Sequence, residues 1–150
     1  MQRCVAQVVG AVCDESAELK TSAVDEGFIC AALVALDKYR TSEKTVHWLS
    51  WALFHITYGH EPNKADFVRS GGLPTIAQVM KYHRGSPIVQ RQALGLLFST
   101  LADGRGIVQE ARQELARKHD LKPRIEAAKE THVSDTQIQA MCDKILRVIK

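Results

Sequence analysis

Apolar residues recur at spacings of three and four along almost the whole chain, and no run alternates strictly between apolar and polar residues. Spacings of three and four match the 3.6-residue turn of an α-helix, whereas strict alternation is typical of a strand. Glycines and prolines lie between the periodic segments, where they mark boundaries. The pattern therefore predicts an all-α fold.

Two stretches of the chain align with each other at an offset of 44 residues, starting at Val24 and Val68. In each, a short first helix ends at a glycine, Gly27 or Gly71, as the left-handed position after a helix prefers. This internal similarity predicts a repeated unit, which is the sequence signature of stacked helical arrays.

The remainder of each aligned stretch predicts two more helices. A middle helix is expected over 28–38 and again over 73–83, with Pro74 in the first turn, where the missing amide proton has no cost. A polar turn follows, and Ser42 and Ser86 are the predicted N-caps of a longer third helix. Each unit is thus predicted to contain a short, a middle and a long helix.

Partial copies flank the two aligned stretches. Arg3–Cys13 carries one apolar stripe and resembles a third helix without its two partners. Helices predicted over 107–118, 122–129 and 134–150 complete a further unit, with Ser134 as the N-cap of the last. We therefore expect one domain over 1–150, divided into a partial leading unit, two full units and a divergent last unit: 1–14, 15–58, 59–103 and 104–150.

These units resemble the armadillo repeat family. The similarity is carried by GGLPTIAQVMKYHRGSPIVQRQALGLLFSTLA, by the junction PNKADFVRSGGLP, and by LSWALFHI with its tryptophan, Trp51. The resemblance implies a right-handed armadillo-type α-solenoid of three-helix repeats, in which each unit buries its apolar face against its neighbours. It also implies a concave groove, lined by the third helices, in which extended peptides or partner proteins lie.

The third helix of the first full unit has two distinct faces. One face is an apolar stripe suited to a core: Val46, Leu49, Leu53 and Ile56. The opposite face carries rings: His47, Trp48, Trp51, His55 and Tyr58. Neighbouring helices could cover these rings as a second packed face, or the rings could line the groove, where aromatic side chains give a large contact area.

The other third helices supply smaller or polar residues to the predicted groove. They are Arg91, Gln92, Gly95 and Ser99, followed by Asp143 and Arg147; an alignment one residue later replaces the last two by Lys144 and Val148. His55 occupies the position where the resemblance implies an asparagine, so the Trp–Asn ladder of nuclear-import adaptors is absent and we do not expect nuclear-localisation-signal binding. The surroundings suit a peptide with an apolar anchor and nearby acidic groups.

Composition narrows the classes of partner. Residues 1–75 carry a net charge of −2 and residues 76–150 a net charge of +5, an imbalance too mild for a typical nucleic-acid surface. No apolar run is long enough to span a bilayer, so no membrane partner is expected. The four cysteines form no CxxC pair and lie in apolar-periodic segments, which predicts buried free thiols and a reducing compartment, the cytoplasm, with the nucleus as an alternative.

The sequence carries no motif for catalysis, for a metal or for a cofactor. No two of the six histidines have the three- or four-residue spacing that places two zinc ligands on one helix face. No nucleophile elbow, phosphate-binding loop or dinucleotide fingerprint is present, and Asp103–Gly106 is expected to be a turn. We therefore predict no catalytic, metal or cofactor site.

The predicted function is that of a non-enzymatic protein–protein interaction module, or scaffold, which binds a partner protein or extended peptide along the groove. One alternative is an armadillo-type co-chaperone that binds a heat-shock chaperone. Another is a small helical enzyme with a site assembled by tertiary convergence, which a pocket combining His55 with an acidic residue or Cys30 would favour. The uncovered edge of Arg3–Cys13 predicts self-association or further repeats upstream.

Overall fold

A computed structural model describes residues 16–101 and 109–149, and within these ranges every regular element is an α-helix, which confirms the all-α prediction. The predicted helix Arg3–Cys13 and the predicted turn Asp103–Gly106 lie outside the described residues. The helices are α1 (Ala17–Asp25), α2 (Phe28–Lys38), α3 (Glu43–Thr57), α4 (Glu61–Arg69), α5 (Gly72–Tyr82), α6 (Pro87–Leu101), α7 (Gln109–Lys118), α8 (Leu121–Thr131) and α9 (Thr136–Val148).

Helix lengths recur along the chain. They are 9, 11 and 15 residues for α1 to α3, and again 9, 11 and 15 for α4 to α6. The last three helices have 10, 11 and 13 residues. The middle helix α2 has the predicted bounds, whereas α5 begins one residue earlier than predicted.

The junction between a first and a middle helix is made in the same way three times. Gly27 and Gly71 adopt left-handed φ angles of 80° and 85°, as predicted. Asp120, with φ of 54°, has the same conformation before α8. Aspartate tolerates the left-handed region better than most residues, so this junction forms without a glycine.

Side chains that accept hydrogen bonds from backbone amides fix the starts of the long helices. Ser42 accepts from the amide of Thr45, and Ser86 accepts from the amide of Val89, which confirms both as capping residues. The predicted cap Ser134 is wrong. Asp135 caps α9 instead because its carboxylate accepts from two amides in the first turn of the helix, and α9 accordingly begins later than predicted.

The third helices lie side by side, and both they and the middle helices supply the core. The α3 helix packs against α6 and α6 packs against α9, while the middle helices α2, α5 and α8 form a second row of neighbours. The predicted core stripe of α3 is confirmed, since its four residues are at most 6% exposed. The central helix α6 buries more apolar residues than its neighbours do: Val89, Ala93, Leu94, Leu96, Leu97 and Leu101.

Two glutamines tie the long helices to the middle helices. The amide nitrogen of Gln90 donates to the carbonyls of Met80 and His83, at 2.9 and 3.0 Å. The amide nitrogen of Gln139 donates in the same way to the carbonyls of Lys129 and His132, at 2.7 and 3.0 Å. These matching bonds fix the register: Gln139 on α9 is equivalent to Gln90 on α6.

A histidine joins successive turns of one kind, those between a middle helix and a third helix. The Nε2 atom of His83 lies 2.6 Å from the carbonyl oxygen of Arg40, and the Nε2 atom of His132 lies 2.9 Å from that of Arg84. Because a carbonyl only accepts, the Nε2 atom carries the proton in both bonds. The same contact therefore joins equivalent turns of successive units.

The cysteines do not all have the predicted environment. Cys142 is a buried free thiol, and burial raises its pKa to about 11. The prediction is wrong for Cys30, which is exposed because it lies on the outer side of α2, where its sulfur is 3.6 Å from the Ser70 hydroxyl. Cys4 and Cys13 lie outside the described residues.

No helix among residues 16–101 and 109–149 has the length and apolar character needed to cross a membrane.

Candidate functional site

A cavity of about 590 Å³ lies where the three third helices come together. We call it the aromatic cavity. The α3 helix contributes its rings, α6 contributes polar residues and a glycine, and the first half of α9 closes the other side. The lining residues are His47, Trp51, Phe54, His55, Ile88, Arg91, Gln92, Gly95, Gln137, Ala140 and Met141.

The cavity brings together six of the eleven residues predicted to form the groove. These six are His47, Trp51, His55, Arg91, Gln92 and Gly95. Trp48, Tyr58, Ser99, Asp143 and Arg147 are not among the lining residues. Phe54, Ile88, Ala140 and Met141 supply further apolar lining, and no sequence pattern pointed to them.

The rings of α3 form a continuous chain of contacts. The Trp51 and His55 rings are tilted against each other with centroids 4.2 Å apart, and Trp48 meets Trp51 edge-on at 5.8 Å. Trp48 also packs against the hydrophobic core, whereas Trp51 borders the cavity. The ring-bearing face is therefore divided: a core contact holds Trp48 in place, and Trp48 in turn supports Trp51.

Phe54 connects the apolar core of α3 to the cavity. Its ring packs against the core from a half-buried position, stacks on Tyr58 at 5.2 Å and contacts His55 edge-on at 5.3 Å. Tyr58 itself is 49% exposed at the end of α3, beyond the lining. Tyr58 thus supports the cavity wall through Phe54 rather than forming it.

The α6 wall is narrow at Gly95, whose missing side chain leaves room opposite α3. A Cβ atom at this position would lie 3.8 Å from the Phe54 ring, an ordinary van der Waals distance. One turn later, Ser99 is fully buried, and its hydroxyl donates to the carbonyl of Leu96 at 3.0 Å. The predicted groove position of Ser99 is therefore wrong, because its hydroxyl is satisfied inside the core.

The register of α9 explains why its predicted residues are not in the lining. Since Gln139 is equivalent to Gln90, Ala140 and Met141 are equivalent to Arg91 and Gln92 and line the cavity.

Asp143 pairs with Lys129 of α8 at 2.5 Å. That hydrogen bond and the lysine charge hold the pKa of Asp143 below its usual value. Arg147 is exposed and lies outside the lining. Asp143 and Arg147, predicted for the groove, therefore lie outside the cavity lining, and the alignment one residue later agrees with the register.

Arg91 is held in place by the start of α9. Its Nε atom donates to one oxygen of Asp135 at 3.0 Å, while the other carboxylate oxygen accepts from the amides of Gln137 and Ile138. The hydrogen bond from the Ile138 amide lowers the pKa of Asp135, and the Arg91 charge lowers it further. The carboxylate is therefore ionised at neutral pH. Among the described residues, the two terminal guanidinium nitrogens of Arg91 make no further hydrogen bond.

His47 is the most unusual polar group at the cavity. Its Nδ1 atom is buried and has no hydrogen-bond partner among the described residues. Burial lowers the pKa of His47 below 6.5, although the nearby Glu43 charge opposes this shift. The ring is therefore largely neutral at pH 7 and presents an aromatic surface to the cavity.

Arg91, His47 and His55 are the titratable residues of the lining. The enzyme alternative would need an acidic residue or Cys30 in the same pocket as His55, and neither is among the lining residues. Within the part of the chain that the structure describes, no three histidine, cysteine or acidic side chains converge as a metal site would require.

A second cavity, of about 630 Å³, lies on the row of middle helices, between α2 and α5. Its lining mixes both charges with a few apolar residues: Leu36, Asp37, Arg40, Pro74, Thr75, Gln78, Val79, Lys81 and Tyr82. Asp37 and Arg40 pair with each other at 3.3 Å. No sequence pattern pointed to this cavity.

No protein-family model, curated protein or solved structure matches the chain. The resemblance to armadillo repeats therefore rests on the residues of the chain alone.

Proposed function

We propose that the chain is a non-enzymatic interaction module of the armadillo type, and that it binds a peptide segment of a protein partner in the aromatic cavity. The right-handed solenoid belongs to this proposal. It is supported by the recurring helix lengths, by the repeated left-handed junctions and by the row formed by α3, α6 and α9.

One observation carries the proposal: the aromatic wall of α3 faces a polar wall on α6 across about 590 Å³ of open space. This volume is within the range of ordinary ligand pockets. Trp51 supplies a rigid surface on which an apolar side chain can pack, and such residues often dominate binding energies. Arg91 and Gln92 supply donors that can orient a bound main chain or polar side chain.

The cavity is placed where a longer ligand could continue. It spans three neighbouring long helices rather than lying within one unit, so a ligand that fills it contacts all three. An extended peptide advances about 3.3 Å per residue, so a few residues suffice to pass from α3 to α9, which pack on either side of α6.

Free thiols are typical of a reducing compartment, and we place the interaction in the cytoplasm or nucleus.

The proposal is tested by selecting peptides from a random twelve-residue display library on the folded protein. We expect a defined set of binders whose affinity falls at least tenfold in Trp51→Ala. Tyr82→Ala serves as the matched control, because Tyr82 is an exposed aromatic residue of the second cavity. Failure to enrich any peptide, or binders that respond to Tyr82→Ala and not to Trp51→Ala, would overturn the proposal.

A further inference from the structure

The charges at the aromatic cavity are unbalanced. Arg91, His47 and His55 are the titratable residues of the lining, and no carboxylate is among them. Asp135, the acidic partner of Arg91, is already engaged by two helix amides and by the Nε atom of Arg91. A ligand in the cavity therefore meets cationic and neutral groups on the α6 wall.

Asp135 prepares Arg91 for a ligand. A guanidinium group is planar, and fixing its Nε edge also fixes the plane in which its two terminal nitrogens lie. Those two nitrogens form the edge that binds carboxylates in a bidentate manner. The Arg91 side chain is 40% exposed and lines the cavity, so this edge is accessible and its orientation costs little entropy on binding.

An apolar surface lies directly beside this edge. Ile88 is three residues before Arg91 on α6, hence on the same helix face, and it is 47% exposed. Trp51 and Phe54 of α3 and Met141 of α9 complete the apolar lining. The cavity thus offers a cationic edge and an apolar surface next to each other.

We infer that the occupant is an acidic peptide segment in which an aspartate or glutamate side chain binds Arg91 and a neighbouring bulky apolar side chain packs between Trp51, Ile88 and Met141. This inference rests on the proposed function and specifies its ligand. Charge complementarity argues for it, since a basic peptide would oppose Arg91 without meeting an unengaged carboxylate in the lining.

The test begins with the sequences enriched from the random library. We expect them to combine an acidic residue with a nearby bulky apolar residue. For the tightest of these peptides, both Arg91→Gln and replacement of the acidic peptide residue by its amide should weaken binding by about 10- to 100-fold, the range for hydrogen bonds between charged groups. When both changes are present, the second should add almost nothing, because it removes the same contact.

Two control variants separate recognition from a structural effect. Arg147→Gln makes the same charge change on an exposed part of α9, outside the lining, and should leave affinity within about twofold. Asp135→Asn breaks the ion pair but keeps a capping side chain and the Arg91 charge. It should therefore reduce peptide affinity much less than Arg91→Gln does. If Arg91→Gln leaves binding unchanged while Asp135→Asn weakens it, Arg91 does not contact the ligand and the inference is wrong.

Failure of this inference and failure of the proposed function give different results. If the enriched peptides are basic or uncharged but still depend on Trp51, the cavity binds peptides and the assignment of an acidic ligand is wrong. If no peptide is enriched, or if the binders ignore Trp51→Ala, the proposed function itself is wrong and the inference falls with it.

Discussion

Two glycines in helices should respond in opposite ways to the addition of one methyl group. Gly95 lies in the interior of α6 and borders the aromatic cavity, whereas Gly72 is the first residue of α5. A Cβ atom at Gly95 would meet the Phe54 ring at 3.8 Å. A Cβ atom at Gly72 would lie only 2.4 Å from ring atoms of Phe67, which is fully buried.

These distances set the expected magnitudes. Gly95→Ala removes the backbone entropy cost of a mid-helix glycine without a clash, so the free energy of unfolding should rise by about 0.5–1 kcal/mol. That corresponds to an increase in Tm of roughly 1–4 °C for a chain of this size. Gly72→Ala forces a buried ring to move, and overpacking of this kind costs about 1–3 kcal/mol.

Urea denaturation followed by circular dichroism measures both changes, with thermal unfolding as a second readout. Gly95→Leu extends the series, because a larger side chain from the same position enters the cavity. It should abolish peptide binding, while Gly95→Ala keeps affinity within a few-fold. A loss of stability in Gly95→Ala, or unchanged stability in Gly72→Ala, would refute the packing described at these two positions.

Three further predictions concern the caps, the histidine and the thiols. Ser42→Ala should lower the free energy of unfolding by about 1 kcal/mol through loss of the α3 cap, measured by urea denaturation, and no change would show that the cap is dispensable. Because the pKa of His47 is lower in the folded chain than its ordinary value of 6.5, the unfolded chain binds the proton more readily below pH 6.5, and stability should fall on acidification from pH 7.5 to 5.5. His47→Gln should reduce that fall in the urea midpoint; an unaltered pH dependence would contradict the assignment. Cys30 should be alkylated rapidly at pH 7.5 and Cys142, buried and with its pKa raised to about 11, only on unfolding, as mass spectrometry of iodoacetamide-treated protein would show; early labelling of Cys142 would contradict its burial.

The features that sequence predicted best are those decided within one turn of helix. Gly27 and Gly71 define their junctions because few other residues adopt a positive φ, and Ser42 caps α3 through a bond to a residue three positions away. The core stripe of α3 also follows from local spacing. Such signals need no knowledge of the neighbouring helix, and they fixed most helix bounds to within one or two residues.

The features that sequence missed depend on contacts between helices. Two alignments of α9 were equally consistent with its pattern, and only the Gln139 hydrogen bonds to α8 and its turn decide between them. At 100° per residue Phe54 lies about 20° from His47, at the edge of the ring-bearing face, but that it lines a cavity depends on where α6 lies. Cys30 was expected to be buried because it lies in an apolar-periodic segment, yet the buried residues of α2 are Ile29, Ala32, Leu33 and Leu36, and Cys30 is exposed.

The sequence placed several residues of the aromatic cavity on one surface but did not predict an enclosed cavity. Trp51 and Arg91 were assigned to one surface from the offset between units, which the structure agrees with. The link between Arg91 and Asp135 joins residues 44 positions apart in sequence. No spacing rule could indicate it, because it depends on the α9 cap being Asp135 rather than Ser134.

Binding of a peptide between α3, α6 and α9 can be observed directly by NMR titration. The ¹H–¹⁵N spectrum of the protein would be followed while the tightest selected peptide is added. We expect the signals of the Trp51 indole N–H, the Gly95 amide and the Arg91 side chain to shift together with one dissociation constant. Shifts confined to Asp37, Gln78 and Tyr82 around the second cavity, with Trp51 unchanged, would contradict it.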